Sequence, residues 1–419
     1  MSKKIYKIVF LCHFSNPLVR KNLELKNFNF RNCIAKILHR KPYNYDDFAI
    51  WVSDYIKEFE KHNDFEFWVV APHRGMKVEK QTFDVNGIHY FFYKCDYNFF
   101  CSFLNSKFHL QEKTDFRTNR KRIKTIIDGI QPNVIILCGA ENPYYSLGVL
   151  DIKNLPVYVI LQTLLNDPKR IEMGVGSPYR RKSELEVFCH ARFFSTIVKQ
   201  EIEVIKRVNN KAVFLHSGFP THRPEVPIPD NKDYDFVFFS RYVTKNKGIE
   251  DLLKALLIVK NTHKEIRLNI IGEIKDDYKK LLDDLIQRTE LSNNVYFSGY
   301  FLQIGDMYKN VVKARVVVVP GITAALNSTV RESMLIGLPT ICYETFATED
   351  INKEKCCLIT AQMGNVNGLA KQMQWAIENT ANLQDIAKNG KEYAEKVFGN
   401  ETIVNRMLDY CCQIIEKKV

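Results

Sequence analysis

Ten short apolar runs recur along the chain, and most are apolar on both faces instead of alternating. They read as candidate strands: KIVFLC (7–12), FEFWVVA (65–71), NVIILCG (133–139), VYVILQ (157–162) and AVFLH (212–216). After a break come FVFFS (236–240), RLNIIG (267–272), VYFSG (295–299), RVVVVP (315–320) and TICYE (340–344). Helical patterns separate them. Strands of this kind, with helices between, predict parallel α/β sheets covered on both faces. Residues 218–235, GFPTHRPEVPIPDNKDYD, interrupt the rhythm with four prolines and no periodicity, and read as a linker. The expected architecture is therefore two doubly wound, Rossmann-like domains, 1–217 and 236–400, with ligands at the carboxyl ends of the strands. A last helix spans 401–419, and packing back on the first domain is one placement open to it.

Composition changes this picture little, whereas charge changes it more. At 419 residues, 46% hydrophobic and 26% charged, the chain is an ordinary globular protein too long for one core. Its net charge of +12 is unevenly placed. Residues 1–219 hold 34 Lys+Arg against 22 Asp+Glu, while residues 220–419 hold 26 against 26. Read from charge alone, an anionic partner for the first half and a solubilising surface are equally supported. The basic clusters lie at 31–42, 118–125 and 169–182. A ligand carrying a pyrophosphate, or peripheral contact with anionic headgroups, would suit them. The eleven cysteines form neither a disulfide framework nor a zinc-type spacing, so reduced thiols in a cytoplasmic protein are expected. The run IVFLC is too short for a signal peptide, and no stretch has the length of a membrane span.

The second half carries the candidate chemistry. Strand FVFFS leads to Arg241, then to Lys245 and Lys247 just before a helix. Cations there oppose the helix dipole, unless an anion bound at the helix start makes them cooperate with the free amides. The stretch VVVVPGITAALNSTVRESMLIGLPTICYE (316–344) repeats the arrangement of strand, small-residue turn and helix start. Glu332 suits a ribose diol, but taken alone it reads better as the end of a capping box running from Thr329 to Glu332. Asp233 to Asp235, DYD, precede their strand and read as linker. No cluster has metal-ligand spacing, so neither a metal nor another cofactor is expected.

These pieces together resemble the nucleotide-sugar-binding domain of retaining GT-B glycosyltransferases of the family 4 (group 1) type. They are SRYVTKNKG; LNIIGE, with Gly272 and Glu273; NNVYFSGY; and NSTVRESMLIGLPTICYE followed by Glu349. They stand in the family's order across roughly residues 236–360. The resemblance implies that Arg241 and Lys247 bind the donor diphosphate and that Glu332 takes the ribose. It also implies that amides around Leu326, Asn327, Ser328 and Thr329 meet the sugar-phosphate, with Gly272 and Glu273 nearby. Two positions depart from the family. Ala324 stands where a first glutamate would hold a donor-sugar hydroxyl. Gln162 ends VYVILQ where family members have a His-Asp pair near the reacting sugar.

A glutamine can hydrogen-bond a hydroxyl but cannot serve as acid or base. Proposals for the family rely on front-face attack assisted by the leaving diphosphate, so Gln162 remains a candidate catalytic position. In the first loop, His13, Ser15, Asn16 and Arg20 are candidate acceptor contacts. The aromatics Tyr43, Tyr45, Trp51, Phe99 and Phe100 are expected in the core. The leading expectation is a transferase moving sugar from a nucleotide-diphosphate donor to a saccharide or lipid-linked acceptor, in surface-polysaccharide or glycolipid synthesis. The alternative is a catalytically weakened nucleotide-sugar-binding scaffold. Nothing resembles a nucleic-acid-recognition motif, and no nucleic-acid partner is expected.

Overall fold

The structure, a computed structural model, describes residues 5–37, 44–45, 47–95, 110–172, 174–196, 198–221, 226–322 and 326–419. Ala324, Ala325, Tyr43, Phe99, Phe100 and parts of the 31–42 and 169–182 clusters and of the 218–235 linker lie outside the described residues. The chain divides into two compact units: residues up to Pro220 with Asn400–Val419, and Thr221–Gly399.

In the first unit the strands are β1 (Tyr6–Leu11), β2 (Phe65–His73), β3 (Lys80–Val85), β4 (Ile88–Lys94), β5 (Val134–Cys138), β6 (Val157–Ile160), β7 (Phe193–Ser195) and β8 (Val213–Phe214). They form one sheet in the order β3-β4-β2-β1-β5-β6-β7-β8. All neighbours pair in parallel except β3 with β4. Every residue of β5 and β6 is buried, as a central strand with helices on both faces requires. The antiparallel β3–β4 pair is absent from the sequence reading. It turns at Asn86-Gly87, whose φ angles of 51° and 79° suit a two-residue hairpin. The strand order reverses between β1 and β5, which makes the loops after these strands the expected ligand crevice.

The C-terminal helix Asn400–Ile415 belongs to this first unit. Ile403, Val404, Met407, Leu408 and Cys411 are buried in the same cluster as Phe10, Tyr55 and Phe59. Close approach is possible because Gly218 lacks a side chain, since a Cβ there would lie 3.3 Å from Ile403. The Gly218 carbonyl in turn accepts from the Tyr55 hydroxyl at 2.9 Å.

The second unit holds β9 (Tyr234–Val243), β10 (Leu268–Ile274), β11 (Val295–Gly299), β12 (Ala314–Val319), β13 (Thr340–Tyr343) and β14 (Ile359–Ala361). All are parallel, in the order β11-β10-β9-β12-β13-β14, and the reversal falls between β9 and β12. Part of the expected linker is anchored here. Val226 packs on this unit's core, and Lys232 Nζ donates to the Val312 carbonyl at 2.8 Å. Tyr234 and Asp235, read as linker, instead open β9, with Asp235 Oδ2 accepting from the Arg267 amide at 3.0 Å.

Candidate functional site

The second unit's candidate residues gather where β9, β10 and β12 end. Arg241 is half-buried near the end of β9, its guanidinium carbon 5.5 Å from the Tyr242 ring centre. Beside it, Gly272 in β10 has φ 143°, and a Cβ there would come within 2.1 Å of the Ser240 carbonyl oxygen. Only glycine permits this approach. Glu273 follows, exposed and paired in register with Tyr242.

After β9 the chain makes one 3-10 turn, Lys245–Lys247, that ends at Gly248 with φ 76°. A Cβ on Gly248 would lie 1.9 Å from the Pro320 carbonyl oxygen, so the turn is seated directly on the end of β12. A backbone bond from the Ile322 amide to the Asn246 carbonyl, 3.1 Å, ties it to the next loop. Lys247 is half-buried. Burial lowers its pKa, and the negative charge of Glu332 partly restores it. A desolvated ammonium so placed gains from an incoming anion.

The helix Ser328–Ile336 differs from the sequence reading at its start. Asn327 is the N-cap, its side chain accepting from the Thr329 amide at 3.1 Å. Thr329 therefore sits inside the helix, buried, and the expected Thr329-to-Glu332 capping box does not form. With Asn327 as the cap, Val330 holds the third helical position and Glu332 lies two residues past it. Its Oε2 accepts from the Tyr308 hydroxyl at 3.0 Å instead, which holds the carboxylate toward Lys247. A capping box does form at the next helix, Phe346–Ile351, between Thr345 and Thr348. Between the two helix starts lies a small open recess, walled by Gly321, Leu326, Asn327, Tyr343, Thr345 and Thr348 among others. Arg241, Lys247, Glu332, Ser328, Thr329, Gly272 and Glu273 are not part of that wall.

In the first unit, His13 follows β1, shares a short hydrogen bond through Nδ1 with the Tyr144 hydroxyl, and packs edge-on to Phe48. Burial, with help from Arg74 and His73, holds its pKa down to about 3, so it is a neutral hydrogen-bonding group. Ser15, Asn16 and Arg20 are engaged locally. Asn16 caps the helix Pro17–Asn22 through the Val19 amide at 2.9 Å and donates to Ser53 Oγ at 3.0 Å. Arg20 donates to Ser15 Oγ at 3.1 Å and pairs with Asp47 at 2.5 Å.

Gln162, just past β6, satisfies two neighbours in one amide orientation. Its nitrogen donates to Glu141 Oε1 at 2.6 Å, and its oxygen accepts from Trp51 Nε1 at 3.3 Å. Glu141 is the residue the sequence reading passed over. It follows β5 within GAENP and is only 6% exposed, and burial raises its pKa to about 7. A glutamate in a loop gives no periodic signal. Its one clue is its place, three residues past an apolar strand and two before a helix-opening proline.

Among the described residues no group of three or more His, Cys, Asp or Glu could hold a metal ion. The described cysteines are free. No described helix is long and apolar enough to cross a membrane.

The sequence profile of the family described as "Glycosyl transferases group 1" matches residues 220–393. Comparison with curated protein sequences gives no match. Among solved structures, the chain resembles a sucrose-phosphate synthase from Thermosynechococcus elongatus, at TM-score 0.70 and 14% identity, covering 98% of this chain and 100% of that one. It resembles Anabaena HepE, solved with UDP and glucose, at TM-score 0.63 and 15% identity, covering 97% and 100%. A Rickettsia africae glycosyltransferase gives TM-score 0.63 and 14% identity, covering 99% and 100%. The chain has the GT-B fold, and its residues 220–393 match the family of glycosyl transferases group 1.

Proposed function

We propose that the protein is a retaining, metal-independent glycosyltransferase. It moves a sugar from a nucleotide-diphosphate donor to a saccharide or lipid-linked acceptor in surface-polysaccharide or glycolipid synthesis. One observation carries the donor site: the half-buried Lys247, on a turn seated against β12, lies within the field of Glu332 at the neighbouring helix. Arg241 and Lys247 bind the diphosphate, and the Glu332 carboxylate, held by Tyr308, accepts from the ribose hydroxyls. Amides of Leu326, Asn327 and Ser328 at the helix start meet the sugar-phosphate, while the Thr329 amide is already taken by Asn327. The two cations stabilise the leaving diphosphate, whose oxygen takes the acceptor proton during front-face attack. No protein base is needed, which agrees with a neutral Gln162.

UDP is the first donor nucleotide to test, since HepE was solved with it. Arg241→Ala or Lys247→Ala should weaken UDP binding by about 1.5–3 kcal/mol, the worth of a charge-assisted bond, measured by calorimetry. Parent-like affinity in both variants across uridine, guanosine and adenosine diphosphates would sink the assignment. A second reading, a nucleotide-sugar-binding scaffold, draws support from Gln162 in place of the family's His-Asp pair. UDP-sugar binding without transfer or hydrolysis would favour it. The positive excess of residues 1–219 supports a peripheral contact of the first unit with an anionic membrane.

A further inference from the structure

Glu141 has an arrangement that burial alone does not call for. Two donors converge on Oε1: Gln162 Nε2 at 2.6 Å and Asn142 Nδ2 at 2.9 Å. Oε2 is buried without a hydrogen bond and lies against Gly139, where an added Cβ would be 2.6 Å away. Arg180 donates to the Glu141 backbone carbonyl at 3.0 Å and to Asn142 Oδ1 at 3.1 Å. The carboxylate's one bonded oxygen thus takes two amide donors, from Gln162 and Asn142.

We propose that Glu141 is a positioning residue: with Trp51 it locks the Gln162 amide in one orientation, so that Gln162 presents a fixed donor and a fixed acceptor to a saccharide hydroxyl. The polarity follows from the end groups. An indole N–H can only donate, and an ionised carboxylate can only accept. Reversing the amide would set donor against donor at Trp51 and acceptor against acceptor at Glu141. Partly exposed Gln162 keeps one N–H and one oxygen lone pair, and a sugar hydroxyl both donates and accepts. This inference rests on the glycosyltransferase reading for its ligand class, and on local geometry alone for the lock.

Protonation goes to Oε2, which has no donor to lose, and turns a charge-assisted bond at Oε1 into a weaker neutral one. The groups that set this step are Glu184 and Arg180 on the helix Pro178–His190 and Arg170 on the helix Pro168–Glu172. Tyr144, Tyr145 and Cys138 also adjoin it, and burial keeps them neutral.

The test needs no acceptor. The full-length chain has three tryptophans, so ¹⁵N-indole labelling gives three N–H signals, with Trp51→Phe identifying that of Trp51. The Trp51 signal should shift with pH about a midpoint near 7 in the parent. The shift should vanish in Glu141→Gln and return in Glu141→Asp. UDP-glucose hydrolysis supplies the second readout. Turnover in Glu141→Ala should fall about tenfold, with the KM for UDP-glucose unchanged and a partial rescue by aspartate. A Trp51 signal with no titration, or one that persists in Glu141→Gln, overturns the proposal. So does a variant whose turnover and pH profile match the parent's. If the parent fails to bind UDP, the donor assignment fails separately, and the indole titration alone decides whether the lock exists.

Discussion

Replacing Glu141 by glutamine isolates the free-energy cost of burying that carboxyl in the first unit. Burial moves its pKa from 4.5 to about 7. The unfolded chain therefore gives up this proton first. The stability tied to the group is complete below pH 4.5 and is lost as pH rises through 7. One pKa unit is worth about 1.4 kcal/mol, so the loss across that window is about 3 kcal/mol. His13 and His73 work in the opposite direction. Burial holds them near 3 and 4, so their contribution is present above pH 6.5 and is lost as pH falls. Both terms are common to parent and variant and cancel in the comparison. At acid pH parent and variant should be close in stability, because the amide N–H stands where the protonated parent carries its O–H against Gly139. By pH 8 the parent bears the cost of ionising the buried carboxyl and the variant should be the more stable protein. Urea titrations at pH 5 and pH 8 give the free energies, with equal m-values as the check on comparison. The stability difference should move in the variant's favour by about 2–3 kcal/mol between those pH values. A difference that is the same at both refutes a buried, titrating carboxyl at position 141.

Two further substitutions probe the frame that holds the candidate residues. Gly248→Ala forces a Cβ to within 1.9 Å of the Pro320 carbonyl at φ 76°. It should cost about 1–2 kcal/mol for the left-handed backbone alone. As the Lys245–Lys247 turn lifts off β12, UDP affinity by calorimetry should drop about tenfold, as for loss of a charge-assisted bond; unchanged affinity would show that the turn does not set the cation. Met407→Ala empties a fully buried position on the C-terminal helix and should cost about 2–5 kcal/mol in urea unfolding. A cost below about 1 kcal/mol would mean that the helix is not part of the first unit's core.

The apolar runs located the buried parallel strands because such strands leave no solvent face to interrupt them. β5 is the clearest case, with five consecutive buried residues. The same criterion passed over β3, whose exposure alternates residue by residue, although Asn86-Gly87 was a sufficient turn signal. β7 and β14, three residues each, are too short to show any period. Arg241 and Lys247 could be placed beside the end of β9 because apolar strands and their ends were found in the sequence. The helix start was less legible, since Asn327, Ser328 and Thr329 are all competent caps in sequence. The backbone chose the first of them, at φ −65° and ψ 138°. That choice shifted Glu332 out of capping register and onto Tyr308.

Glu141 is the instructive omission, because no local pattern distinguishes it from a solvated loop glutamate. Carboxylates are almost never buried without partners. What buries this one is assembled from distant segments: Gly139 at φ 84°, Gln162 after β6, Trp51 on the helix Ile50–Phe59, and Arg180 on the helix Pro178–His190. None of these is within two turns of Glu141 except the glycine, and the glycine alone reads as an ordinary turn. The residue that the sequence did single out, Gln162, has a defined amide orientation only because of this neighbour. A substitution for a catalytic acid is therefore better judged with its tertiary partners than alone: a neutral amide between an obligate donor and a buried carboxylate keeps a fixed polarity, and with it the capacity to select a hydroxyl.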